Sequence, residues 1–506
     1  MNRRSYRFAL PSSLAAAAWL LAGQALANGR FPAADQLLID PLDPLHIVVR
    51  TTFGLVESRD GGKDWAWTCE EIIGRIANQD PPLAVTGDGS VVVAVPFEGV
   101  SVTHDHGCTW TRAPEPLAGQ LAVDVTLEPS DPAALLVLTS TNDTPPDAGP
   151  SAPPEFLNLI VETKDNGVSW ALRGAPLARD FIAGTIEIAA SDPNRIYTSG
   201  VFGDPLLGGI ERSEDGGKTW IRTLVPTGRD LGGVYISAVD SQNADRLFVR
   251  VLAQPDPLTN ATPTTLLMSS DKGATWKELA KTDEAMLGFA LSTDGARLAY
   301  GTIKQGVFMG PSDGGAPFDK VSSIQNRCLT WSSAGLYACG TDLGRGLPAT
   351  MPPSPEPAET FAVGLSRDMG MTFDTLYKLT QTCPTVCPDD SRFNRVCRMT
   401  WEMKPGVTTA TGATGATCTV DWAKTAVTDG GSEAGKEEGG ARGGKDAGDE
   451  SGQGEATPSD SCGCRIVGTA AGGPARAATG AFALALGALL ARRRRHGRAS
   501  SRKSSG

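Results

Sequence analysis

Histidine is scarce in this chain, four residues in 506, and tyrosine is nearly as scarce at six. Chemistry centred on histidine therefore has few places to sit. His496 falls in a basic tail, His46 in a turn region, and His104 and His106 in variable positions of a repeated turn. There is no Gly-rich phosphate cradle, no nucleophile elbow and no Cys–His dyad. No cofactor and no metal site are expected. Basic residues are in deficit as well: 46 Lys and Arg stand against 57 Asp and Glu, for a formal net charge of -11. That deficit argues against nucleic acid as a partner, because phosphate binding is driven by clustered Lys and Arg.

What the chain does contain is turn formers, 59 Gly and 35 Pro, and a repeat. Aligned on one aspartate, the copies are SRDGGKDW from Ser58, THDHGCTW from Thr103, TKDNGVSW from Thr163, SEDGGKTW from Ser213 and SSDKGATW from Ser269. Two looser copies follow, PSDGGAPF from Pro311 and SRDMGMTF from Ser366. The aspartates are Asp60, Asp105, Asp165, Asp215, Asp271, Asp313 and Asp368, in steps of 42 to 60 residues. A four-stranded propeller blade takes about 40 to 50 residues, more with insertions. One copy per blade predicts an all-β, seven-bladed propeller over residues 28–424.

The chemistry of the repeat suits a rigid hairpin turn. The carboxylate accepts N–H bonds from the residues ahead of it, the Gly takes positive φ, and the Ser or Thr hydroxyl adds a local bond. The closing aromatic begins the next strand and buries a large face between blades. Trp65, Trp110, Trp170, Trp220 and Trp276 all sit there, which is how a core residue behaves. The seven aspartates are accordingly read as structural rather than catalytic. A second turn signal precedes several copies, as in EPSDP and ASDPN. It would join the first and second strands of a blade, and the aspartate turn the third and fourth, so both lie on one face of the disc. The loops between second and third strands, including 141–154, 253–265 and 344–360, emerge on the opposite face, where a binding surface is usually built.

The two ends read differently. Arg3, Arg4 and Arg7, an apolar run and Ala25-Leu26-Ala27 have the order of a secretory signal, residues 1–27. Export permits disulfides. Eight cysteines between the ends are candidates for four bridges: Cys69, Cys108, Cys328, Cys339, Cys383, Cys387, Cys397 and Cys418. The favoured pairs are Cys69 with Cys108 and Cys328 with Cys339. A metal site on Cys383 and Cys387 is disfavoured, since export promotes oxidation and no His is near. Residues 425–461, nearly all Gly, Ala, Ser and charge, are expected to be a disordered linker. Cys462-Gly463-Cys464, an uncharged stretch at 477–491 and Arg492 to Arg495 follow, and then the basic tail 496–506.

The repeated turns resemble those of the BNR or Asp-box propellers, a group that includes sialidases, xyloglucan-cleaving glycosidases, sortilin-type receptors and the photosystem II assembly factor. The segment 462–495 resembles the myxobacterial MYXO-CTERM sorting signal: Cys motif, apolar transmembrane-type helix, Arg cluster. That resemblance implies processing at Cys462 or Cys464 by a sorting protease, contact with the membrane through this segment, and display at the cell surface. A sialidase would also carry an arginine triad, a Tyr–Glu nucleophile pair and an early Phe-Arg-Ile-Pro motif. Gly29-Arg30-Phe31-Pro32 does not match that motif. The catalytic residues are unknown. The reading preferred on sequence is a noncatalytic binding or assembly module for an extracellular glycan or surface protein; the alternative is a glycoside hydrolase of the cell surface.

Overall fold

The computed structural model describes residues 32–401 and 420, apart from 75–78, 150–151, 204, 229–230, 260 and 344–358. The secretory-signal, linker and sorting segments, with Cys418, Cys462 and Cys464, lie outside the described residues. Among those described, no helix is long and apolar enough to cross a membrane.

Seven antiparallel sheets of four main strands follow one another along the chain, at 34–68, 83–112, 122–172, 181–224, 231–282, 288–322 and 328–377. The first strand of each blade touches its counterparts on either side, and that of blade 7 touches that of blade 1. The result is a closed seven-bladed β-propeller. Because strands alternate in direction, the turns joining strands one and two, and three and four, share a turn face. The remaining connections share a loop face.

Burial explains why the blades associate. Each of seven apolar clusters is shared by two neighbouring blades, and each includes or touches the aromatic that closes the later blade's turn. Those aromatics are Trp65, Trp110, Trp170, Trp220, Trp276, Phe318 and Phe373. A strand buried on both sheet faces must be apolar nearly throughout, as in Val91–Val95 with five buried residues in a row.

The ring is fastened by a segment that the blade-counting argument does not foresee. Blade 7 ends at Tyr377, and a strap then runs back over blades 1 and 2. Its strand Thr382–Pro384 adds in parallel to the outer edge of blade 1 at Trp65–Thr68. Its helix Arg392–Trp401 sets Trp401 against Trp67, with ring centroids 5.1 Å apart. Cys69 is bonded to Cys397 and Cys108 to Cys387, so the expected Cys69–Cys108 bridge is not formed. The reason is geometric: the strap brings Cys397 to a Cα separation of 5.3 Å from Cys69, within the span a disulfide needs. Cys328 and Cys339 face each other across adjacent strands and are bonded. Cys383 is also in a disulfide.

Candidate functional site

On the turn face, the aspartates are committed to the backbone. In blade 4, Asp215 Oδ1 accepts from the Thr219 N–H at 2.9 Å and the Ser213 hydroxyl at 2.8 Å, while Oδ2 accepts from the Thr219 hydroxyl at 2.7 Å. Asp105, Asp165, Asp271 and Asp368 repeat this pattern with Thr109, Ser169, Thr275 and Thr372. Asp60 accepts the backbone N–H groups of Lys63 and Asp64 and the Ser58 hydroxyl. Asp313 departs from the pattern because Pro311 replaces the hydroxyl residue; it accepts the Gly315 N–H at 2.8 Å. The bonds to Asp165, Asp215, Asp271 and Asp368 favour the ionised form. The N–H and hydroxyl of Thr219 hold Asp215 down at about 2, and the corresponding groups of Thr275 and Thr372 do the same for Asp271 and Asp368.

Cations on this face serve the architecture too. Arg59 donates to the Gly89 carbonyl at 3.2 Å, Arg173 to Gly216 at 3.3 Å, and Lys277 to Asp313 and Gly314 at 3.0 Å, each reaching the next blade. Beneath them lies a buried group that sequence reasoning missed. His46 is fully buried, with Nδ1 3.0 Å from Asp40 Oδ2 and Nε2 3.0 Å from Glu57 Oε1. Arg59 Nε donates to the same Glu57 oxygen at 2.6 Å, and His106 of blade 2 lies 3.6 Å from it. Burial pulls the His46 imidazole down, but Asp40 and Glu57 overcome it and leave it raised. Burial pushes the Glu57 carboxyl up, and His106, His46 and Arg59 overcome that, leaving it well below its ordinary value. His104 lies apart, its Nδ1 2.6 Å from Ser90 Oγ. Among the described residues no three metal-capable side chains form a cage.

Further groups lie on the loop face and along the side of the ring. Asp342, in the loop after the second strand of blade 7, is pushed above the ordinary carboxylate value by burial, against a 3.1 Å bond from the Leu379 N–H. Arg327 pairs with Asp35 at 2.6 Å near the junction of blades 7 and 1. In blade 5 an ordered turn around Asp256 displays Leu258 with 94% of its surface exposed. A groove of about 420 Å³ runs between blades 4 and 5 from the loop-face ends of Leu207 and Leu224 to the Asp271 turn, lined by these two with Val225, Pro226, Thr227, Thr275 and Trp276. The Trp276 indole is fixed there by donating to the Leu224 carbonyl at 3.2 Å. Among the described residues, the groove's lining includes no carboxylate, imidazole or thiol. None of these described lining residues can move a proton.

Neither a protein-family model nor a curated protein matches the chain. Solved structures resemble it. An ancestral GH74 enzyme does so with a TM-score of 0.44 at 14% identity, over 57% of this chain and 39% of the enzyme's length. YCF48 from Cyanidioschyzon merolae has a TM-score of 0.41 at 12% identity, over 61% of this chain and 92% of its own. A Hadza microbial sialidase has a TM-score of 0.33 at 15% identity, over 57% and 70%. Enzymes and proteins not named as enzymes stand side by side among the similar structures, so the likeness reaches the fold and stops there.

Proposed function

We propose that this chain is an Asp-box propeller, exported by residues 1–27 and displayed at the cell surface through the linker 425–461 and the sorting segment 462–495. In this reading it is a noncatalytic binding or assembly module for an extracellular glycan or a surface protein. The observation that carries the reading is the groove between blades 4 and 5, a mainly apolar trough around Trp276 with no titratable side chain among the described residues that line it. The aspartates that repeat in every blade support it from the other side, since their oxygens already serve the turns. The test is to incubate the purified protein with a panel of glycans and envelope polysaccharides and to read retention and released product by mass spectrometry. Retention without product is expected; released sugar would overturn the reading.

A second reading, glycoside hydrolysis, is favoured by one observation. Asp342 is a largely buried carboxyl on the loop face whose pKa burial raises, the direction a general acid requires. If released sugar were found, Asp342→Asn should abolish it, and unchanged release from that variant would discard Asp342 as the acid.

A further inference from the structure

Four cysteines meet in one apolar cluster: Cys69 and Cys108 from blades 1 and 2, Cys387 and Cys397 from the strap. They are joined as two nested long-range pairs, Cys69–Cys397 across 328 residues and Cys108–Cys387 across 279. Each also has a much nearer neighbour along the chain. Cys69 and Cys108 are 39 positions apart, and Cys387 and Cys397 are ten apart.

In the unfolded chain the nearer pairs meet first. Loop closure costs about (3/2)RT ln n, so Cys69 encounters Cys108 about 20-fold more often than it encounters Cys397. On the export reading, the order of delivery adds to this bias, because Cys108 enters the oxidising compartment 279 residues ahead of Cys387.

Folding of the ring does not undo that pairing. The residues preceding the two blade cysteines are in contact, since a Cβ added to Gly107 would lie 2.2 Å from Thr68 Oγ1. Blades 1 and 2 can therefore pack around a Cys69–Cys108 bridge, with the strap left outside. A strap whose own cysteines are bridged to each other has no thiolate with which to attack the ring.

We propose that the native pairing is reached by thiol–disulfide exchange, and that this chain is a client of a thiol–disulfide isomerase. The two local bridges are first made by a disulfide oxidant, which takes up two electrons and two protons for each. The isomerase thiolate then attacks Cys108 Sγ, breaking Cys69–Cys108 and releasing the Cys69 thiolate. That thiolate attacks Cys397 Sγ, forms Cys69–Cys397 and releases the Cys387 thiolate. Cys387 attacks Cys108 Sγ in the mixed disulfide, forms Cys108–Cys387 and expels the isomerase thiolate. Two bridges stand before and after the exchange, no electron or proton is gained or lost, and the catalyst is regenerated. The end state is favoured by docking of the strap, which adds Thr382–Pro384 to blade 1 and sets Trp401 against Trp67. The compartment of the isomerase rests on the export reading; the exchange does not.

The experiment refolds the reduced full chain in glutathione buffer, blocks thiols with N-ethylmaleimide at intervals and maps bridged peptides by mass spectrometry. Cys328–Cys339, 11 residues apart on paired strands, is the internal control. Cys69–Cys108 should dominate before Cys69–Cys397 appears. Protein disulfide isomerase should speed the appearance of Cys69–Cys397 about tenfold or more and leave that of Cys328–Cys339 unchanged. The isomerase without its active-site cysteines should have no effect. Cys69–Cys397 forming ahead of Cys69–Cys108, an unchanged rate with the isomerase, or no native pair even in its presence would each overturn the proposal. A variant reads the proximity directly: Cys387→Ser/Cys397→Ser should carry Cys69–Cys108 after oxidation, and free thiols at both positions would overturn the proposal as well. The peptide maps report bridges whether or not the chain attains its native fold. They require neither export nor a glycan, so failure here is distinct from failure of the binding-module reading.

Discussion

Cys397, in the strap helix, is bonded to Cys69 at the end of blade 1's outermost strand, 328 residues earlier in the chain. With Cys108–Cys387 it fastens the segment beyond blade 7 to the first two blades, so the ring is closed by a covalent strap in addition to blade-to-blade packing. Removing a native disulfide typically costs about 2–5 kcal/mol. The double variant Cys69→Ser/Cys397→Ser should therefore melt about 3–7 °C lower for a domain of this size. Limited proteolysis should cut the strap of that variant first, and an unchanged melting temperature would refute the strap's role.

Gly174 is a sharper probe of blade contacts. A Cβ placed there would lie 2.0 Å from the Gly217 carbonyl of the neighbouring blade, at φ +74°. Gly119 has nearly the same backbone, φ +75°, with no atom within 4 Å of a Cβ. Gly119→Ala should cost about 1–2 kcal/mol through φ alone. Gly174→Ala should cost about 1–3 kcal/mol more, because backbone must move. Chemical denaturation of the two variants measures the difference.

The His46 group predicts a pH dependence with a definite sign. Its folded pKa is raised above 6.5, so its contribution is fully present below that value and is lost as pH rises through the folded value. Glu57 is lowered from 4.5, so its contribution is present above 4.5 and is lost as pH falls through its folded value. Melting temperature followed from pH 6 to pH 9 should decline in the wild type and decline less in His46→Gln. Parallel curves would show that His46 does not titrate with folding.

The repeated aspartates govern the acid limb. Asp215, Asp271 and Asp368 are lowered from 3.8 to about 2, so the stability they confer is lost as pH falls through that interval. The triple Asp→Asn variant should be less stable than wild type at neutral pH and flatter between pH 4 and pH 2. Acid titration followed by circular dichroism gives both slopes.

The sequence by itself determined the blade count, because a turn needing Ser or Thr, Asp, Gly and a closing aromatic at set offsets is a local requirement that each blade repeats. It also determined which face bears those turns, since antiparallel alternation leaves no other arrangement. Asp313 was recognisable as a weakened copy from Pro311 alone, as the proline carries no hydroxyl. Other features depended on residues far apart in sequence. Nothing near Cys69 indicates that its partner is Cys397 rather than Cys108; that pairing follows from where the strap lands after blade 7. His46 reads as a turn residue until Asp40 and Glu57 close over it, and Trp276 as one closing aromatic among seven until blade 4 supplies the far wall of its groove. Local hydrogen bonding is written into neighbouring residues, whereas burial and pairing across the ring depend on closure of the whole chain.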